Sequence, residues 1–333
     1  MPSSNSPHAR KLYLTGGRQG APVIPHARVP TGYEAYYDRA VICELDVTMR
    51  TSRPIVRYTT PLEHCPDERP AILFKSAHLE GNRLYVPTHT EILIYSVPTF
   101  ELLTVISLPF FNDIHHVRPS PTGGLIVTVT GLDLVVELGL DGAVRNEWAT
   151  VDEDPWQRFS RDIDYRKVRT TKPHRAHPNY TFFLDDELWV TRFEQRDAIS
   201  LTRPGRSIEL GGERVHDGVL DDERLYFTHV DGKVSIVRCA SLIVEHRIDL
   251  ADFYEPGTLL GWTRGLAVDG AGLWIGFTRV RKTRFRENVA WVKGRRSLPT
   301  RVAYFDLAAR RLGPTIELER SGVNALFSVL VRR

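Results

Sequence analysis

Histidine recurs in this sequence at places where several rings could form one metal or acid–base site. Four imidazoles stand where short apolar runs begin: His115, His116, His177 and His216. Imidazole is the commonest protein ligand for transition metals, and it also carries protons near neutral pH. Three or four such rings around one ion would leave a coordination position open for water or substrate. We therefore expect a divalent or transition metal, whose identity the sequence does not give.

Other residue types near these histidines suit the remaining roles of a catalytic site. Asp217 is predicted to be the general base, Arg264 to hold an anionic part of the substrate, and His229 to take part in catalysis. A metal-free site, in which His transfers protons and Arg264 anchors the anion, is the alternative. Six further polar residues are predicted to bind substrate: His89, Asn179, Arg192, Arg279, Arg284 and Asn324.

The elements that must position these residues are β-strands. Apolar runs of four to eight residues alternate with Gly, Asp and Pro turns, as in "PTGGLIVTVTGLDLVVELGLDG" and "LDDERLYFTHVDGKVSIV". Helical periodicity is nearly absent. The pattern repeats about every 40 residues, which is typical of a β-propeller with four strands in each blade.

The repeat predicts an all-β fold of six four-stranded blades, although the insertions leave five or seven open. Blades two to six are assigned to 71–108, 114–151, 177–211, 215–250 and 263–319. "GVNALFSVLV" near the C-terminus supplies strand A of the first blade, and "KLYLTGG", "AVICELDV" and "PIVRYTT" supply strands B to D. Closing the ring with both termini removes open sheet edges.

Propeller geometry then places the candidate residues at one level. Strand A runs along the central axis and strand B returns beside it, so the start of A and the end of B lie on the same face. The polar residues occupy these positions in successive blades. Adjacent strand residues point to opposite sides, so we expect only one of His115 and His116 to reach the channel. The sequence does not say which.

Long insertions fall on that same face. They are the D–A or B–C connections at 18–39, 60–69, 152–176, 251–262 and 280–300. The opposite face has short turns. Because loops carry recognition while a rigid scaffold holds them, we expect a site covered by these loops.

The repeated pattern of strands and turn residues that marks each blade resembles the six-bladed propellers of the gluconolactonase, paraoxonase and strictosidine-synthase kind. "TRGLAVDGAGLWIGF" at 263–277 is an example, as an A–B hairpin. The resemblance is architectural and covers most of the chain. It implies a divalent cation on the axis, which that group holds through acidic and Asn side chains. The strand starts here offer mostly His, so that ligand set does not transfer.

One basic stretch, from Arg279 to Arg296, contains eight basic residues with Phe285 and Trp291 between them. Basic and aromatic side chains together suit a phosphate, a carboxylate or single-stranded nucleic acid. A solvated loop paired with nearby carboxylates is the structural alternative. The formal net charge of the chain is only +3, which favours a local acidic ligand over a nucleic-acid partner.

Composition predicts an ordinary globular protein. The 333 residues are 42% hydrophobic, and the three cysteines have no CxxC spacing. Residues 1–10 read as a disordered tail and 11–333 as a single domain. The tail lacks the apolar core of a signal peptide and no apolar run reaches the length of a membrane span, so we expect a cytoplasmic protein.

The favoured function is an enzyme whose axial His cluster acts on a small anionic or polar molecule by hydrolase, lyase or isomerase chemistry. The alternative is a non-catalytic scaffold that binds a partner protein or glycan through its loops. The scaffold predicts an unspecific axial channel and a large exposed patch on the loop face. The sequence leaves the oligomeric state open.

Overall fold

Strands account for nearly all the regular structure of this computed structural model, which describes residues 7, 9–20, 37–68, 70–280 and 296–332. Six antiparallel sheets of four strands form the blades of a β-propeller. Within the described residues there is no α-helix, and no helix is long and apolar enough to cross a membrane. The predicted all-β fold and the count of six blades are confirmed. Most of the predicted tail, 1–10, lies outside the described residues.

The strands of each blade are given from the axis outward, as A, B, C and D. Blade 1 consists of β26 (Ala325–Val331), β1 (Lys11–Gln19), β2 (Tyr37–Asp46) and β3 (Thr51–Tyr58). Blade 2 consists of β4 (His78–Glu80), β5 (Arg83–Pro87), β6 (Ile92–Ser96) and β7 (Leu102–Ile106). Blade 3 consists of β8 (Ile114–Pro119), β9 (Leu125–Val129), β10 (Leu134–Leu138) and β11 (Val144–Ala149).

The second half of the ring repeats the pattern. Blade 4 consists of β12 (Pro178–Leu184), β13 (Glu187–Arg192), β14 (Asp197–Ser200) and β15 (Ser207–Glu209). Blade 5 consists of β16 (Val215–Asp221), β17 (Arg224–His229), β18 (Lys233–Arg238) and β19 (Ile243–Asp249). Blade 6 consists of β21 (Trp262–Asp269), β22 (Gly272–Thr278), β24 (Arg301–Asp306) and β25 (Arg311–Glu317).

A few short elements lie in the connections. β20 (Thr258–Leu259) and β23 (Arg296–Ser297) form a parallel pair. Single turns of 3₁₀-helix occur at Leu62–His64, Thr130–Leu132, Pro155–Gln157, Tyr165–Lys167, Leu250–Phe253 and Glu319–Ser321.

The first blade closes the ring as predicted. β26 pairs with β1, so a strand from the C-terminal end and three from the N-terminal part share one sheet. Leu12 pairs with Val331 and Gly17 with Ala325. The ring is therefore held shut by backbone hydrogen bonds between the two ends of the chain.

The core lies between the blades. Large residues at matching positions of strand B fill the gaps between neighbouring sheets: Trp189, Trp274, Tyr85 and Tyr226, all of them buried. Inner strands such as β9 and β10 are buried at every position because both of their faces are covered, whereas the outer strand β25 alternates between exposed and covered positions. The packed blades therefore form a rigid scaffold for the side chains that line the axis.

The two ends of the propeller differ. The described D–A connections lie at one end, which we call the loop face, and strands β1 and β22 also end there. The A–B and C–D turns at the other end, the turn face, are short. The predicted placement of long loops on one face is confirmed for 60–68, 152–176 and 251–262, whereas residues 21–36 and 281–295 of the other two insertions lie outside the described residues.

The start of strand A is irregular in four consecutive blades. The A–B register shifts between Ile114 and His116, between Pro178 and Thr181, between Val215 and Gly218, and between Arg264 and Leu266. A bulge of this kind re-aims the side chains beside it and is common next to functional sites. The level at which it recurs is the level of the candidate residues.

Candidate functional site

A cavity of about 690 Å³ lies on the axis at the loop face. Four imidazoles from two blades and one loop line it: His115, His174, His177 and His216. Four cationic side chains also line it: Lys75, Lys172, Arg214 and Arg264. We call it the loop-side cavity. Its volume is that of a pocket for a small molecule. Three of the four predicted metal ligands, His115, His177 and His216, are thus brought together.

Three residues in and beside this cavity could hold a metal ion. Each of Asp113, His174 and His177 offers one ligand atom, and these three atoms lie within 4.8 Å of one another. Asp113 and His177 occupy equivalent positions, each directly before strand A of its blade and each in the left-handed region, with φ of 52° and 53°. That backbone geometry turns both side chains out of the strand direction and toward the same point.

Hydrogen bonds define the protonation of the two rings. The Thr171 hydroxyl donates to the carbonyl oxygen of Gly131, so Nε2 of His174 donates to Thr171 Oγ1, at 3.2 Å. Nδ1 of neutral His174 then carries a lone pair. It accepts a hydrogen bond from Nδ1 of His177, at 2.7 Å. One proton therefore lies between two nitrogen atoms that are both suitable metal ligands.

The turn that carries His174 and His177 is fixed by one buried carboxylate. Oδ1 of Asp133 accepts hydrogen bonds from the backbone N–H groups of Ala176 and His177, at 3.0 and 2.8 Å. Oδ2 accepts from the N–H of Arg175 at 2.8 Å and from the guanidinium of Arg158 at 3.1 Å. Asp133 thus anchors the end of the 152–176 insertion to blade 3.

His216 and Asp217 form a buried dyad. Nδ1 of His216 donates to Oδ2 of Asp217 at 2.8 Å, and Nε2 has no hydrogen-bond partner among the described residues. The Asp217 carboxylate also accepts from the Ser76 hydroxyl and from the N–H of Gly265. Asp217 therefore lies behind His216 and fixes its tautomer, so that the lone pair is on Nε2.

His115 lies between the other rings. Its Nδ1 donates to the carbonyl oxygen of Asp113 at 2.9 Å, which leaves the lone pair on Nε2. Its ring centroid is 4.9 Å from that of His177 and 5.7 Å from that of His216. The ring centroid of Phe327 lies 6.4 Å from that of His115 and 5.8 Å from that of His216. Phe327 thus closes the cavity toward the turn face.

Burial keeps these imidazoles neutral. Burial lowers the pKa of His115 and His177 well below the ordinary value, with the charge of Lys75 adding to the effect at His115 and His174 adding to it at His177. Burial also lowers the pKa of His216, although Asp217 acts in the opposite direction. A neutral imidazole has a free lone pair, so each ring is competent as a metal ligand or base.

A charged pair stands beside the rings. The ammonium of Lys75 bonds directly to Oδ1 of Asp113, and His89 lies 3.4 Å from the same oxygen. Burial acts to raise the pKa of Asp113, but Lys75, His115 and His89 outweigh it and hold that pKa well below the ordinary value. Burial lowers the pKa of Lys75, against the pull of Asp113. Asp113 therefore offers an ionised carboxylate.

The expectation that only one of His115 and His116 reaches the channel is wrong. His115 lines the loop-side cavity, and His116 lines a second axial cavity of about 320 Å³ toward the turn face. His216 and Asp217 divide in the same way. The bulge between Ile114 and His116 interrupts the regular alternation of the strand, so that two successive residues both face the axis.

Arg264 lines the loop-side cavity as predicted, with its guanidinium 4.4 Å from the ring centroid of Phe327. His229 does not: its ring is buried, with Nδ1 on the carbonyl oxygen of Glu213 and Nε2 on Ser235. His89 lies behind Asp113. Arg284 lies outside the described residues, as do residues 281–295 of the basic stretch.

Four predicted substrate-binding residues have structural partners and do not line either axial cavity. Arg192 forms a paired contact with Asp197, and Arg279 bonds to Glu319 and Gln19. The Asn179 amide donates to the carbonyl oxygen of Val215, and Asn324 Oδ1 accepts from the N–H of Gln19. These side chains join neighbouring blades or loops.

Sequence reasoning missed three residues that the structure places here. His174 and Lys172 lie in the 152–176 insertion, which has no strand register to locate its side chains, and Asp133 follows strand B. The spacing His174-x-x-His177 was the available signal, because a single turn brings such residues together.

Comparison with known proteins identifies the fold. No protein-family model and no curated protein matches the sequence. A protein of unknown function from Bacteroides caccae is similar in structure, with a TM-score of 0.63 and 14% identity over 98% of this chain and 100% of that one. A chain of a nidogen/laminin complex has a TM-score of 0.56 and 11% identity over 96% of this chain and 97% of that one. At these identities the likeness shows the propeller fold alone.

Proposed function

We propose that the loop-side cavity is the active site of a metal-dependent enzyme that acts on a small anionic molecule. The observation that carries the proposal is the group Asp113, His174 and His177, whose ligand atoms lie within 4.8 Å of one another in a cavity with neutral imidazoles. A divalent ion that replaces the proton between the two Nδ1 atoms would be bound by both rings and by the carboxylate. Two imidazoles and one carboxylate are a common ligand set for catalytic zinc.

The chain's own residues would supply the rest of the chemistry. His216 is the proposed general base, since its unpartnered Nε2 belongs to a ring that Asp217 holds in position. The cationic groups Lys75, Lys172 and Arg264 would attract and orient an anionic substrate. A Lewis acid, a base and an anion anchor in this combination would suit hydrolase or lyase chemistry.

Architecture supports the proposal in a general way. The gluconolactonase-like propellers, which this chain resembles in its repeated pattern of strands and turn residues, hold a cation on the axis. Here imidazole would replace most of their oxygen ligands. The polar lining of the channel favours a small ligand over the scaffold alternative. The predicted cytoplasmic location and the absence of a nucleic-acid partner stay predictions.

Metal analysis tests the proposal. After exposure to Zn²⁺ or Mn²⁺ and dialysis, the protein is expected to retain about one ion per chain. His174→Ala and His177→Ala should lose it, whereas His246→Ala, at an exposed position of blade 5, should keep it. Equal metal content in all three variants would refute the assignment of these ligands.

The metal-free site is a second candidate because Lys75 already neutralises Asp113. In that case His216 and His177 would transfer protons, and binding of anionic metabolites would survive a chelator. A thermal-shift screen of phosphorylated and carboxylated small molecules, run with and without EDTA, separates the two candidates.

A further inference from the structure

The second axial cavity has features of a binding site that the proposed function does not use. It has a volume of about 320 Å³ and lies on the turn-face side of Phe327, which lines both cavities. We call it the turn-side cavity. Its inner wall carries His116 and Tyr180, and Arg118 lies between them and the mouth.

His116 presents an unused hydrogen-bond donor. Its Nδ1 accepts the backbone N–H of Thr181 at 3.2 Å, so the proton of the neutral ring is on Nε2. Nε2 is buried and has no partner among the described residues, while His116 as a whole is only 1% exposed. A buried donor without a partner is costly, and an acceptor in the cavity would remove that cost.

Arg118 adds a positive charge two residues further along the same strand. Its Nη1 makes a long bond to the carbonyl oxygen of Thr181 at 3.4 Å, and its Nε is buried without a partner in the described part of the chain. The guanidinium lies 5.1 Å from the ring centroid of Phe183. Among the ion pairs of the described residues none involves Arg118.

The inner wall holds a second charged group, the carboxylate of Asp217. The Asp217 carboxylate reaches the cavity wall, but it is already bound by Ser76, Gly265 and His216. Burial raises the pKa of Tyr180, so its hydroxyl stays protonated and can donate. His116, Arg118 and Tyr180 therefore supply three donors for an anionic oxygen, while the oxygens of Asp217 are engaged by their own partners.

The mouth of the cavity has a different character. It is lined by apolar side chains from several A strands, among them Leu79, Val219, Leu220 and Leu330. Leu220 is 38% exposed, which places the mouth at the surface of the turn face. An apolar rim above a polar floor suits a molecule with an anionic head and a short hydrocarbon tail.

We propose that the turn-side cavity binds a small monocarboxylate, with its head between His116, Arg118 and Tyr180 and its alkyl chain among the apolar residues of the mouth. The site is separate from the proposed metal site and does not depend on it. No covalent step is involved.

Isothermal titration calorimetry with butyrate, acetate and n-butylamine tests the proposal on the full chain. Butyrate is expected to bind about tenfold more tightly than acetate, because two further methylene groups are buried. n-Butylamine, which has the same length and the opposite charge, should not bind. Equal affinities for butyrate and acetate, or for butyrate and the amine, would overturn the proposal.

Variants locate the bound anion. Arg118→Gln should weaken butyrate binding by about tenfold or more, since a charge-assisted hydrogen bond is lost. Leu220→Ser, at an exposed position where folding is not at risk, should weaken butyrate but not acetate. The matched control Arg311→Gln, at an exposed position of blade 6 outside both cavities, should change neither.

Two outcomes would contradict the assignment. Unchanged butyrate affinity in both Arg118→Gln and Leu220→Ser would remove the anion from the turn-side cavity. A loss in Lys172→Gln larger than that in Arg118→Gln would place it in the loop-side cavity instead. Neither result bears on metal binding by Asp113, His174 and His177, so the two proposals can fail separately.

Discussion

Replacing Asp133 by Asn perturbs the anchor of the His174–His177 turn with almost no change in size. If the amide oxygen takes the place of Oδ1, the bonds from Ala176 and His177 remain. The amide NH₂ then faces the N–H of Arg175 and the guanidinium of Arg158, so two hydrogen bonds to a charged acceptor are lost. At roughly 1–2 kcal/mol each, the free energy of unfolding should fall by about 2–4 kcal/mol.

Urea denaturation at neutral pH measures the change, with the m-value as a check that the unfolded state is unaltered. Asp162→Asn is the matched control, because Asp162 is exposed in the same insertion and should change stability by less than about 0.5 kcal/mol. We also expect Asp133→Asn to bind Zn²⁺ about tenfold more weakly, as happens when a group that orients a metal ligand is lost. If Asp133→Asn had the same free energy of unfolding and the same affinity for Zn²⁺ as the control, the anchoring role would be refuted.

Three further predictions follow from burial. Burial lowers the pKa of His78 to about 3, below its value of about 6.5 in the unfolded chain. Between these two pH values the unfolded state binds more protons than the folded state. The free energy of unfolding should therefore fall as the pH drops from about 6.5 toward about 3. His78→Gln should make that fall shallower by about 1.4 kcal/mol per pH unit in urea denaturation; equal slopes would contradict it. Trp189→Ala should lower the free energy of unfolding by about 3–5 kcal/mol, because the ring is fully buried between blades, and a loss below about 1 kcal/mol would mean that the interface is loosely packed. Burial raises the pKa of Cys43 to about 12, whereas Cys239 is only half-buried. A thiol reagent should therefore modify Cys239 long before Cys43 in the native protein, as followed by mass spectrometry. The reverse order would be inconsistent with this core.

The fold was predictable because blade structure is a local pattern repeated along the chain. Turns such as Gly123–Gly124 and Asp185–Asp186, all at positive φ, mark where each A–B hairpin reverses. The predicted third blade, 114–151, matches strands from Ile114 to Ala149, and the fifth, 215–250, matches strands from Val215 to Asp249. The two ends of the chain could be joined because each lacked the strands that the other supplied.

The site was predictable only where strand register reaches. His115, His177 and His216 stand beside strand A and were brought together by the ring. His174 was missed because it lies in a long insertion whose path depends on tertiary contacts such as Asn112 to Tyr165 and Val168.

Side-chain direction was the other limit. Alternation along an ideal strand allowed only one of His115 and His116 to face the axis, but the bulge turned both of them toward it. A bulge of one residue is set by packing at the channel and leaves no clear mark in the sequence.

The most direct test of the metal site is a crystal structure of the protein soaked in Zn²⁺, with anomalous diffraction recorded at the zinc edge. We predict one strong anomalous peak in the loop-side cavity, about 2.0–2.2 Å from a nitrogen of His174, a nitrogen of His177 and a carboxylate oxygen of Asp113. An empty loop-side cavity at full soaking, or a peak bound by none of these three residues, would contradict the account.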